Sequence, residues 1–74
     1  MLLGTEDKYM FKLTINTGNA AFHDEYNDDK AYDKYYEAEE ISRILKGVID
    51  KLEYGCESGV LMDINGNKVG EWSR

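Results

Sequence analysis

The strongest constraint on the fold of this chain is one apolar stripe at helical spacing. Ala31, Tyr35, Ala38, Ile41, Leu45, Val48 and Leu52 follow steps of three or four, and Ile44 and Ile49 widen the stripe. Side chains so spaced stand on one face of a helix, which predicts a single long helix with that face turned to a core. The chain has no proline to break it. Asn27, Asp28 or Asp29 suits the N-cap, and Asp33 takes that role if the helix starts later. Gly55 directly follows Tyr54 and fits the left-handed position beyond a last turn that carries Lys51. Gly47 lies inside the helix at a cost of about 1 kcal/mol relative to alanine, which reads as a close approach of another backbone or as tolerance on an exposed face.

Strand signals flank the helix. From Lys8 to Asn16, Tyr9, Phe11, Leu13 and Ile15 alternate with Lys8, Met10, Lys12, Thr14 and Asn16, the pattern of a strand with one buried face. Thr17, Gly18 and Asn19 end it in a turn, and Ala20, Ala21 and Phe22 lie back on the core. Val60 to Ile64 and Lys68 to Trp72 form two short strands about Asn65-Gly66, the dipeptide that most favours a tight hairpin. Tyr54 and Trp72 read as core or edge packing. The expected fold is α+β: a single domain over 1–74, ordered strand-helix-strand-strand. Its three-stranded antiparallel sheet, in the order 2-3-1, carries the helix across one face.

A chain of 74 residues has a small core, so homodimerisation through an apolar sheet face stays open. With 42% hydrophobic and 12% aromatic residues the composition is that of a folded protein. Cys56 is the one cysteine and offers no internal disulfide, and the first residues lack the cationic start of a signal peptide. The expected location is the cytoplasm. No apolar run reaches the roughly 20 residues of a membrane span, and an acidic surface is repelled by anionic headgroups. Scattered, outnumbered bases argue equally against direct nucleic-acid binding.

The acidity is local. Residues 24–40 hold eight carboxylates against two lysines, a balance equal to the whole net charge of −6, and the rest of the chain has seven acids and seven bases. At about 100° per residue, Asp29, Asp33, Glu37 and Glu40 fall in one narrow stripe away from Tyr35, Ala38 and Leu45. Charges four residues apart lie roughly 6 Å apart along a helix axis. Such a line resembles a phosphate backbone in sign and spacing and could occupy a groove that grips nucleic acid. Tyr26, Tyr32 and Tyr36 add apolar contact area with a polar tip. The candidate partner-binding residues are therefore Asp24, Glu25, Tyr26, Asp28, Asp29, Tyr32, Asp33, Tyr36, Glu37 and Glu40. The plainer alternative is a solvated helix face with carboxylates near its positive N-terminus.

Other constellations fail as chemistry. Asp63, Asn65 and Asn67 imitate the start of a calcium loop, but Lys68 stands where glycine is required and Arg74 where glutamate is. His23 beside Asp24 and Glu25 is a single histidine with no cysteine pair, so no metal site is expected. Cys56 lies next to Glu57 and lacks an activating cation, and no nucleophile with its base is apparent. Neither enzymatic activity nor a cofactor is expected.

The segments Phe11 to Phe22 (FKLTINTGNAAF), Ser42 to Leu45 (SRIL) and Gly59 to Gly70 (GVLMDINGNKVG) resemble a group of short proteins, without an assigned function, common in phages and other mobile elements of bacteria. In that group a shorter link joins the Asn-Ala-Ala-Phe segment to the helix, and here the acidic, tyrosine-rich stretch takes its place. The resemblance implies a phage or prophage setting. Size, charge and setting together are similar to those of anti-CRISPR and anti-restriction proteins that mimic DNA. The expected function is a non-enzymatic inhibitor that occludes a basic nucleic-acid-binding site of a host defence protein or complex. The alternative is a homodimeric structural or regulatory interaction module whose acidic face only confers solubility.

Overall fold

The computed structural model describes residues 9–23 and 30–74. Its elements are β1 (Lys12–Ile15), a 3-10 turn (Ala20–Phe22), α1 (Lys30–Glu53), β2 (Ser58–Met62) and β3 (Lys68–Ser73). This is the expected α+β architecture, and the antiparallel sheet runs β1-β3-β2. β3 is central because its two neighbours pair with the same residues from opposite sides: Leu13 and Gly59 both face Trp72, and Ile15 and Leu61 both face Gly70. Gly70 is required by close approach, since a Cβ there would run into the Thr14 carbonyl of β1. Gly59 likewise leaves room for the Trp72 indole, whose Nε1 would lie 2.6 Å from an added Cβ.

The core consists of Ala21, Phe22, Ile44, Val48, Leu61, Val69 and Trp72, with Leu13, Ile15, Ile41, Leu52 and Cys56 packed around it. Phe22 is wholly buried. It is delivered by the 3-10 turn, whose first residues are capped by Asn19: the Asn19 side-chain oxygen accepts the Ala21 N–H at 3.0 Å. Trp72, read from the sequence as core or edge packing, is core.

Several expectations are corrected. β1 covers only Lys12–Ile15, so Tyr9 and Phe11 lie outside it and are exposed, Phe11 touching Trp72 at a ring distance of 5.9 Å. The inward face of α1 is turned from Leu45 toward Ile44. Glu40, Ile44 and Val48 are buried, whereas Tyr35, Leu45 and Ile49 are exposed. Ala31 and Ala38 are exposed as well. The apolar arc of the helix is broader than a three-stranded sheet, about 14 Å across, can cover. Which part is covered is then set by contacts to the strands. Tyr54 is also exposed rather than core.

The helix ends as its glycine predicts. Gly55 has φ 84, its N–H donates to the Leu52 carbonyl at 2.9 Å, and the Cys56 N–H reaches back to the Lys51 carbonyl at 3.0 Å. That pair of bonds is a Schellman motif, and Cys56 beyond it packs against the core. Gly47 meets nothing within 4 Å of an added Cβ, consistent with an exposed position. The β2–β3 connection is longer than a two-residue hairpin: β2 ends at Met62, Ile64 is exposed, and 63–67 form the loop with Gly66 at φ 85.

Candidate partner-binding surface

The carboxylates of α1 do not form one solvent-facing line. Glu40 is 7% exposed and belongs to the core side of the helix. Its Oε1 accepts from Arg43 Nε at 2.7 Å, and its Oε2 accepts from Arg43 Nη2 at 3.1 Å and from the Ile64 N–H at 2.9 Å. The guanidinium first, and then the Ile64 N–H, hold this carboxyl below its ordinary range against partial desolvation. Arg43 also donates to the Met62 carbonyl at 3.2 Å. Glu40 is thus a clamp between α1 and the end of β2, and its assignment as a partner contact is corrected.

Asp33 is also engaged internally. Its carboxylate meets His23 Nδ1 at 3.0 Å, while His23 Nε2 lies 2.8 Å from the Thr17 carbonyl. The Asp33 carboxylate first, and the Thr17 carbonyl second, raise the His23 pKa. Glu37 is half-buried beside this pair and Glu39 is exposed. The stripe through Asp33, Glu37 and Glu40 therefore turns inward, opposite Tyr35 and Leu45, its first part toward His23 and its last toward the end of β2. On the outer side, Tyr32 and Tyr35 are 44% and 65% exposed, and Tyr32 stacks obliquely on Tyr36 at 6.4 Å between ring centres. This is an i, i+4 pair on one helix face. Asp24, Glu25, Tyr26, Asp28 and Asp29 lie outside the described residues.

Two clusters escaped the sequence reading. The Glu40–Arg43 spacing of three is a helical ion-pair signal, but the Ile64 and Met62 partners have none. Asp63, weighed only as a calcium ligand, is 4% exposed and organises the β2–β3 loop. Its Oδ1 accepts the Asn65 and Asn67 N–H groups at 2.9 and 2.8 Å, and its Oδ2 accepts from Asn67 Nδ2 at 3.1 Å and Asn19 Nδ2 at 2.8 Å. These donors, the Asn67 N–H foremost, lower the Asp63 pKa. The last bond ties the loop to the 3-10 turn that places Phe22. Among the described residues no three of His, Cys, Asp and Glu gather as metal ligands would.

A second surface lies at the sheet edge. The Glu57 carbonyl and the Asp63 N–H turn toward β3, so the backbone groups of Ser58, Val60 and Met62 turn outward. Val60 and Met62 are 55% and 50% exposed there. Arg43 covers the Met62 carbonyl, a charge placed on a bare edge. Between α1 and β2 an open cleft of about 190 Å³ is lined by Gly47, Val48, Lys51, Val60, Leu61 and Met62, among others. Among the described residues no helix is long and apolar enough to cross a membrane. Comparison with protein-family models, with curated proteins and with solved structures finds no match.

Proposed function

We propose that this chain is a non-enzymatic phage inhibitor that occludes a basic nucleic-acid-binding surface of a host defence protein or complex, of the anti-CRISPR or anti-restriction kind, inside the bacterial cell. The observation that carries the reading is the placement of charge. Residues 24–29 bring four carboxylates and no base into a chain whose net charge is −6, and the helix that follows presents Tyr32 and Tyr35 to solvent. Anions interleaved with exposed tyrosines are suited to a cationic partner, the charges steering encounter and the rings supplying contact area. The contact set consists of Asp24, Glu25, Tyr26, Asp28, Asp29, Tyr32, Tyr36 and Glu37. Glu40 and Asp33 are left out because their carboxylates are spent, the first on Arg43 and Ile64 and the second on His23.

The test is plaquing of a targeted phage on bacteria with an active CRISPR or restriction system, with and without the chain. Wild type should raise plaquing, and the variant Asp24→Asn, Glu25→Gln, Asp28→Asn, Asp29→Asn should lose that effect while staying folded. Binding to the captured defence protein should weaken as salt rises, because exposed charges are screened over about 8–10 Å near physiological ionic strength. Equal protection by wild type and the neutralised variant overturns the reading. A homodimeric interaction module is the second reading, favoured by the outward amides of β2 beside exposed Val60 and Met62. It predicts a dimer in solution and no effect of the four neutral substitutions.

A further inference from the structure

His23 closes a ring of chain around the acidic segment. It directly precedes Asp24, where the acidic residues 24–29 begin, and its imidazole touches Asp33 in the first turn of α1 beyond them. The other ring nitrogen lies 2.8 Å from the Thr17 carbonyl. A carbonyl oxygen only accepts, and so does an ionised carboxylate, so each contact needs an N–H from the ring. Neutral imidazole carries one N–H and imidazolium carries two. Both contacts are hydrogen bonds only when the ring is protonated.

We propose that His23 is a protonation-dependent latch: as imidazolium it ties the loop at Thr17 to the first turn of α1 and so fixes both ends of the acidic segment, and on losing its proton it releases one of them. The facing groups on α1 are the carboxylates of Asp33 and Glu37, and the loop contributes the neutral Thr17 carbonyl. Both carboxylates favour the charged ring, so the latch is closed below the ordinary histidine value and its closure extends above it. A histidine stabilised in its charged form contributes fully below the unfolded value of about 6.5 and loses that contribution as pH rises through the higher folded value. The latch therefore opens on the alkaline side of 6.5. His23 and Asp33 side chains are each about a third exposed, at 37% and 36%, so protons exchange with solvent directly.

The latch is read on the free protein, without any partner, so its failure is separate from failure of the proposed inhibition. The experiment follows the His23 ring by NMR from pH 5 to 9 and, in the same samples, the exchange protection of the Lys34 to Glu37 amides. After correction for intrinsic exchange, that protection should fall as His23 deprotonates while protection at Ile44 to Val48 holds. In Asp33→Asn the His23 midpoint should drop toward its ordinary value. In His23→Gln the pH-linked loss at Lys34 to Glu37 should disappear. A His23 midpoint unmoved by Asp33→Asn, or protection at Lys34 to Glu37 indifferent to His23 protonation in the wild type, overturns the proposal.

Discussion

Replacing Glu40 with alanine tests whether this carboxylate is a structural clamp or a surface anion. The side chain accepts three hydrogen bonds, two from Arg43 and one from the Ile64 N–H, and is 7% exposed. A hydrogen bond to a charged group is worth about 1.5–3 kcal/mol. The Arg43 side chain is 46% exposed, so its Coulomb share is discounted to the 0–1 kcal/mol scale of solvated pairs. Ile64 is 68% exposed, and water can replace the lost acceptor at its N–H. The net expectation is a loss of about 1.5–3 kcal/mol at pH 7, resting mainly on the charge-assisted bonds. At about 0.05–0.15 kcal/mol per residue a domain of this length has roughly 4–11 kcal/mol in total, so the loss is large. It lowers the thermal midpoint by roughly 6–24 °C. Glu40→Gln keeps an acceptor for Ile64 and should lose less. The Glu40 carboxyl is held below its ordinary range, so its contribution is complete above the unfolded value of about 4.5 and fades as pH falls through the folded value. Urea denaturation of wild type and both variants at pH 7 and pH 3 measures this, and the gap should narrow in acid. A Glu40→Ala midpoint within about 0.5 kcal/mol of wild type at pH 7, the range of an ordinary surface substitution, would refute the clamp.

The rotation of α1 is checked by two neighbouring truncations. Ile44→Ala should cost about 2–5 kcal/mol in chemical denaturation, as core truncations do, and Leu45→Ala, whose side chain is exposed, should cost under about 1 kcal/mol; equal losses would place the helix face as the apolar stripe alone suggests. Gly70→Ala should break the β1–β3 pairing, because the added Cβ meets the Thr14 backbone, which cannot move aside as a side chain can. The check is amide exchange, with protection lost first in β1 and at Asn16, whose N–H donates to the Val69 carbonyl at 2.7 Å. Retained protection there would mean that β1 shifts to accept the methyl group.

Local pattern and short-range chemistry were sufficient for the element order. The helical period, the glycine at the end of α1 and the Asn65-Gly66 turn between two strand segments are each written within a few residues, because they follow from backbone geometry and from which side chains can share a face. The reversals at the helix and at the β2–β3 loop fix the strand directions, and the order β1-β3-β2 is settled only by which strand takes β3 as its neighbour in the folded sheet. What periodicity left open was the angle at which α1 meets the sheet: an arc holding Ile41, Ile44, Leu45, Val48, Ile49 and Leu52 offers several inward directions. Tertiary contacts chose one, since Glu40 bonds to Ile64 across 24 positions of sequence and carries Ile44 and Val48 inward with it. The same choice turned Asp33 and Glu40 from candidate anions into internal ligands of His23 and Arg43. Asp63 shows the limit from the other side: its bonds to Asn65 and Asn67 are local and turn-like, but the bond to Asn19 spans 44 positions. Sequence alone determined how much charge the chain carries and roughly where. Only the folded structure decided which carboxylates face solvent, because a carboxylate turns inward only where distant donors converge to replace its water.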